Sequence, residues 1–373
     1  MPARWPRASG LPWGLVGMVG LLAIGERIVA DRVADRFEPD AVYWHEAARS
    51  AAVDAPGREI LVFGDSLAKL GMQPRLIEER TGASCRNLAI PAGHASNSYL
   101  MLKRSIEAGA NPRLIVVDFE AYLLAASPVM NSRRWAGAFR IREMIDLAAT
   151  AGDLGMAARF AARLALPSTA MRGQARTALW ARLRGEPSID EVIVNMTRRN
   201  LAINDGALLP GPNDVPDPDP PPGLGRPWWR PHRANLAYAR RFLDLAGSRG
   251  VTVAWVLMPI RSDCAGRRAA SRVTDREEAL VRRLQGEFAN LVVLDGRSVG
   301  LADADFRDPT HLNRAGAIAF SAALAETISH ALADCPPPGT WIAVVPVPAR
   351  DLRLDLEDVD QSRLAVMLAG ARR

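Results

Sequence analysis

Lysine is almost absent. Lys69 and Lys103 are the only two among 47 basic residues, so arginine carries the net charge of +6. No Lys-rich tail, zinc-finger spacing or aromatic RNA-binding signature accompanies that charge, and no nucleic-acid partner is expected. Cysteine is as scarce. Cys85, Cys264 and Cys335 lie far apart and none belongs to a CxxC pair. Structural zinc is therefore not expected, and an odd count excludes a fully paired disulfide framework. The three read as buried or half-buried thiols, compatible with either redox compartment. No internal repeat is present.

A long apolar run is lacking too. The uncharged stretch at residues 11–25 falls short of the about 20 residues a membrane span requires. Arg4 and Arg7 precede it, and Glu26 and Arg27 follow. A basic flank before an apolar core is the pattern of an export signal, with the N-terminus kept in the cytoplasm. With Ile28, Val29 and Ala30 added, and with Glu26 and Arg27 snorkelling, residues 1–30 read as an uncleaved signal anchor. This would be a transmembrane helix that makes the cytoplasmic membrane a partner and leaves the remaining chain outside. Ala23-Ile24-Gly25 offers a cleavage site instead, which would make the chain secreted or periplasmic.

What is present describes an ordinary globular protein. The 373 residues are 49% apolar and 24% charged, enough to bury a sizeable core. After a polar connector at 31–57, short apolar runs at 59–63, 86–90, 113–117, 251–258 and 291–294 are bounded by Gly, Pro or polar residues. Their length and lack of alternation suit strands buried on both faces. Helical patterns at 66–80, 99–108 and 313–333 alternate with them. An α/β fold with a parallel sheet and helices on both faces follows.

The interval between the third and fourth strands is too long for one crossover. Residues 120–234 must hold a helical insertion, with ten arginines between 133 and 184. The Pro-rich segment at 210–231 within it reads as an extended loop or lid. The core is then assembled from 58–119 and 235–333. A C-terminal appendage, 334–373, carries one more strand-like run at 341–347.

Two short motifs carry chemistry. Gly64-Asp65-Ser66-Leu67 follows the first strand directly. A serine there can open a helix, where free N–H groups favour the negative charge of a tetrahedral oxyanion. The plainer reading is an N-cap. Asp308-Pro309-Thr310-His311-Leu312 lies between the fifth strand and the last helix. An aspartate three residues before a histidine can fold back to hold Nδ1, leaving Nε2 free to face a hydroxyl. In a doubly wound sheet the loops after the strands share one edge, which brings Ser66 and His311 together.

At these residues the chain resembles the GDSL/SGNH hydrolase family over 58–119 and 235–333. The first block of the family matches Gly64-Asp65-Ser66-Leu67 and its last block matches Asp308-x-x-His311. The resemblance implies a flavodoxin-like three-layer sandwich with a five-stranded parallel sheet, needing no metal or cofactor. It also implies Ser66 as nucleophile, His311 as base, Asp308 as its orienter, and an oxyanion hole from the Ser66 amide and the Gly93 amide of the second block. The third block departs from the family. At Val117-Asp118-Phe119-Glu120-Ala121-Tyr122 the expected asparagine is missing, a loss of about 2.7–4 kcal/mol of transition-state stabilisation. Asn97 is a candidate substitute donor, and Asp65 and His94 are candidate substrate contacts, though His94 reads more simply as a solvated loop histidine. Trp228, Trp229 and His232 read either as a sugar-stacking surface or as packing of the lid.

The altered third block is similar to that of membrane-anchored relatives that modify envelope polysaccharides. The expected activity is therefore a serine esterase or O-acyltransferase on acylated carbohydrate. The alternatives are a general carboxylesterase or lysophospholipase acting on small acyl esters, and a catalytically silent polysaccharide-binding protein of the same fold.

Overall fold

The computed structural model describes residues 13–32, 39–131, 138–166, 168–185, 188–212, 228–334, 337, 339–346 and 356–371. In chain order the elements before the insertion are α1 (Trp13–Arg32), α2 (Pro39–Val53), β1 (Ile60–Phe63), α3 (Ser66–Gly71), α4 (Pro74–Thr81), β2 (Cys85–Asn87), α5 (Ala95–Glu107) and β3 (Leu114–Val117). The insertion holds α6 (Ala121–Ala125), α7 (Ile141–Ala151), α8 (Leu154–Ala165), α9 (Ser168–Leu183) and α10 (Ile189–Ile203). Then come α11 (Arg233–Gly247), β4 (Thr252–Leu257), α12 (Ser262–Ala270), α13 (Val273–Glu287), β5 (Leu291–Asp295), α14 (Arg314–Asp334), β6 (Trp341–Ala343) and α15 (Val359–Ala371).

The sheet is parallel throughout, in the order β2-β1-β3-β4-β5-β6. Alternate residues of its central strands feed two separate cores. Leu61, Phe63, Ile115, Val117, Val253 and Trp255 pack with Trp44 of α2, Met101 of α5, Phe242 of α11 and Leu284 of α13. Ile60, Val62, Val116, Ala254, Val256 and Leu294 face the other way, onto Leu76 and Ile77 of α4 and Phe320 and Leu324 of α14. Burial on both faces is why these strands read as unbroken apolar runs rather than alternating ones.

The five expected strands all form, but the sheet has six. Trp341, Ile342 and Ala343 pair with Val293, Leu294 and Asp295, and Trp341 Nε1 donates to Asp295 Oδ2 at 3.1 Å. The appendage run was legible as a strand; its place in the main sheet was not, because the pairing depends on a residue that ends β5. The helix expected over 66–80 is broken at Met72-Gln73, since Pro74 takes the first position of α4, where its missing N–H costs nothing.

The transmembrane signal anchor is overturned. Among the described residues no helix is long and apolar enough to cross a membrane. In α1 the longest uncharged run is the thirteen residues before Glu26, about 20 Å at 1.5 Å per residue against a hydrocarbon core of about 30 Å. Glu26 is also engaged within the protein, where its carboxylate accepts from the Ser168 amide at 2.8 Å and from the Ser168 hydroxyl.

The registers Phe63↔Val117 and Leu257↔Asp295 align the strand ends. The segments after β1, β3, β4 and β5 therefore leave the sheet along one edge, where β2 and β3 diverge on either side of β1.

Candidate active site

Ser66 is placed by two features of the turn that leaves β1. Gly64 has φ +134°, and a Cβ there would lie 2.7 Å from the Asp118 carbonyl oxygen. The chain turns off the strand at a point only glycine fits. Asp65 then caps α3, its Oδ1 accepting from Leu67 N at 2.8 Å. Ser66 is thus the first residue of a helix, and its N–H has no carbonyl of that helix to bond.

His311 arrives from the loop between β5 and α14. Phe306 and Leu312, each 3% exposed, form an isolated antiparallel bridge. Arg307 N donates to His311 O at 2.9 Å inside it. The five residues between are pinched into a tight excursion. It is fastened to the segment after β4 by the Arg261 amide, which donates to Pro309 O at 3.1 Å.

The geometry within that excursion is that of a Ser-His-Asp relay. His311 Nδ1 donates to Asp308 Oδ2 at 2.7 Å, and Ser66 Oγ donates to His311 Nε2 at 2.8 Å. Asp308 Oδ1 accepts from the amides of Thr310 at 2.9 Å and His311 at 2.8 Å. Partial burial pushes the Asp308 carboxyl up, but the His311 hydrogen bond, the imidazole charge and the two amides outweigh it and hold the group well below the usual carboxylate range. Asp308 therefore stays ionised and fixes the tautomer in which Nε2 accepts the serine proton.

The other expected residues divide. Gly93 lies against Gly64: a Cβ on it would meet Gly64 O at 3.2 Å and Ile90 O at 2.7 Å. Its amide donates to Ile90 O at 2.7 Å, so it is committed to a turn rather than free for an oxyanion. Asn97 is fully buried, and its Oδ1 accepts from His94 N at 2.7 Å while Nδ2 has no partner. His94 is not a solvated loop residue. It is 2% exposed, its ring lies 3.1 Å from Leu123 O through Nδ1, and burial pushes it down to about 4. Trp229 is buried, donating to Ala121 O at 2.6 Å, and His232 caps α11, whereas Trp228 is exposed. The lid reading falls mainly on 213–227, outside the described residues. Cys85 and Cys264 are buried free thiols, as read; Cys335 lies outside the described residues.

One cluster escaped sequence reasoning, which names only Asp65 from it, as a candidate substrate contact. Asp65, Asp118, Glu120 and Glu277, each under 9% exposed, cluster around Arg268, whose guanidinium donates to Glu120. Burial first, then the Glu120 charge, pushes Asp65 up to about 8. Burial and the Asp65 charge raise Asp118 well above its ordinary value, and burial lifts Glu277 to about 7. Asp118 and Glu120 directly follow the buried strand β3, a signal that was available. Arg268 and Glu277 sit in polar helices, and nothing in the sequence marked them.

Compared with protein-family models and with curated proteins, the chain matches none.

Proposed function

We propose that the chain is a serine hydrolase or acyl-transfer enzyme of the GDSL/SGNH type, acting on acyl esters with acylated carbohydrate as the substrate class. One observation carries the reading: Ser66 Oγ and His311 Nε2 lie 2.8 Å apart although 245 residues separate them in sequence. The blocks around Ser66 and His311 support the family. So does the strand order 2-1-3-4-5, which is that of a flavodoxin-like sheet. The carbohydrate class rests on the altered third block alone.

His311 Nε2 takes the Ser66 proton as Oγ attacks the ester carbonyl, and the π electron pair moves onto the carbonyl oxygen. The oxyanion is received by the Ser66 amide, whose N–H opens α3; the Gly93 N–H is committed to Ile90 O and Asn97 Nδ2 is sealed from solvent. Collapse expels the alcohol, which takes the proton from His311. Water or a sugar hydroxyl, deprotonated in turn by His311, then releases the acyl group and restores Ser66. Asp308 stabilises the imidazolium in both halves.

Hydrolysis of p-nitrophenyl acetate and acetate release from acetylated xylan test the reading. Both proceed with the wild type and fall to background with Ser66→Ala. Equal rates for the two proteins would remove Ser66 from the chemistry. Activity on p-nitrophenyl acetate without release from xylan would favour a general carboxylesterase.

A further inference from the structure

Behind the serine turn lies a cavity of about 350 Å³, walled by Leu67, Asp118, Glu120, Met258, Arg268 and Glu277 among others. Leu67 follows the nucleophile directly, so one wall belongs to the helix that carries Ser66. The opposite side is built from α12 and α13. The volume suits a small substituent rather than a whole polymer.

Its charge is lopsided. Asp118, Glu120 and Glu277 line it, with Asp65 close enough for Glu120 to perturb its ionisation. Arg268 faces this group and is bonded to Glu120. Arg297, also in the wall, is occupied by Asp295 at 2.6 Å and Glu278 at 2.8 Å. Asp118 is 3% exposed and its Oδ2 has no hydrogen-bond partner. A buried carboxyl oxygen without a partner costs about 1–3 kcal/mol; burial disfavours the charged form of Asp118 in the empty cavity, and a cation entering beside it would restore that form and supply what the chain does not. Among the described residues no three His, Cys, Asp or Glu side chains are disposed to hold a metal ion. An organic cation answers this: an N–H ammonium brings both charge and the missing donor, an N-methyl ammonium brings charge alone, and neither needs a ligand cage.

We infer that this cavity is a cation subsite, taking an ammonium group carried by the ester substrate on either its acyl or its alcohol side. The inference rests on the esterase reading for the word substrate and on the cavity alone for the word cation. Leu67 and Met258 add apolar wall beside Asp118, and a lower local dielectric strengthens the pairing of opposite charges.

Calorimetric titration of the full chain carrying Ser66→Ala tests it with two isosteric pairs. These are acetylcholine against 3,3-dimethylbutyl acetate, and ethyl 5-aminopentanoate against ethyl hexanoate. In one pair the cationic ester binds about tenfold tighter or better, which also tells the alcohol side from the acyl side. Asp118→Asn in the same background reduces that preference to about twofold or less. Glu277→Gln serves as the second arm should Asp118→Asn fail to fold by circular dichroism.

Equal binding within both pairs, or a preference that survives the substitutions, overturns the inference. So does displacement of the cationic ester by millimolar CaCl₂, which would make the site a metal site. Fluorophosphonate labelling of the protein with Ser66 intact reads the serine separately. Labelling without cation preference sinks only the subsite; cation preference without labelling sinks the esterase reading instead.

Discussion

Replacing Asp308 by asparagine isolates what the carboxylate does for His311. Its two oxygens have different tasks: Oδ1 accepts from the amides of Thr310 and His311, and Oδ2 accepts from His311 Nδ1 at 2.7 Å. An asparagine satisfies the two amides only by turning its carbonyl oxygen toward them, which aims its NH₂ at Nδ1. The imidazole then accepts through Nδ1 and carries its proton on Nε2, where it can no longer take the Ser66 proton. A wrong tautomer in an otherwise intact triad costs about 10⁴-fold in kcat, about 5.4 kcal/mol at 1.36 kcal/mol per decade. The loop keeps its Oδ1 hydrogen bonds and the Phe306–Leu312 bridge, so the melting temperature should stay close to wild type. Stopped-flow acylation with p-nitrophenyl acetate reads the first number and calorimetry the second. A folded Asp308→Asn protein that loses less than about tenfold would refute the tautomer argument.

Three further outcomes follow from the same coordinates. Gly64→Ala places a Cβ 2.7 Å from Asp118 O at φ +134°, which lowers stability by about 1–3 kcal/mol and slows acylation by shifting Ser66; denaturant melts and kcat report the two effects. Asn97 Nδ2 is sealed from solvent and its Oδ1 accepts from His94 N, so Asn97→Ala lowers stability by about 0.5–2 kcal/mol with little change in kcat; a kcat loss of about 10²–10³-fold would instead make it an oxyanion donor. Glu277 is lifted to about 7 by burial, so between its unfolded value of about 4.3 and 7 the folded protein holds the extra proton. The Glu277 contribution is therefore fully present below its unfolded value and is lost as pH rises through about 7. The wild type should lose more stability between pH 5 and 8 than Glu277→Gln, and parallel curves from thermal melts would contradict this.

Much of the framework was legible because burial on both faces leaves a plain trace. The runs at β1, β3, β4 and β5 are apolar at every position that the two cores require, and only strand ends shifted by a residue or two. Ser66, Asp308 and His311 were legible because each motif is local and a parallel sheet puts both on one edge. What failed depends on contacts between distant segments. The uncharged start of the chain has the composition of a signal, but Glu26 is tied to Ser168. His94 looks like a loop histidine until α6 covers it, and Gly93 N–H is consumed by a turn whose Ala92 has φ +56°. The acidic cavity is joined by the Arg268–Glu120 pair, whose partners lie 148 residues apart; no local spacing announces such a group.

Intact-mass measurement after exposure to a fluorophosphonate reaches the central claim most directly, because the reagent reports a serine oxygen that an imidazole has activated. One adduct is expected, mapped to Ser66 by peptide sequencing and lost in both Ser66→Ala and His311→Ala. A folded wild type that stays unmodified, or one modified at another serine, would contradict the pairing of Ser66 with His311.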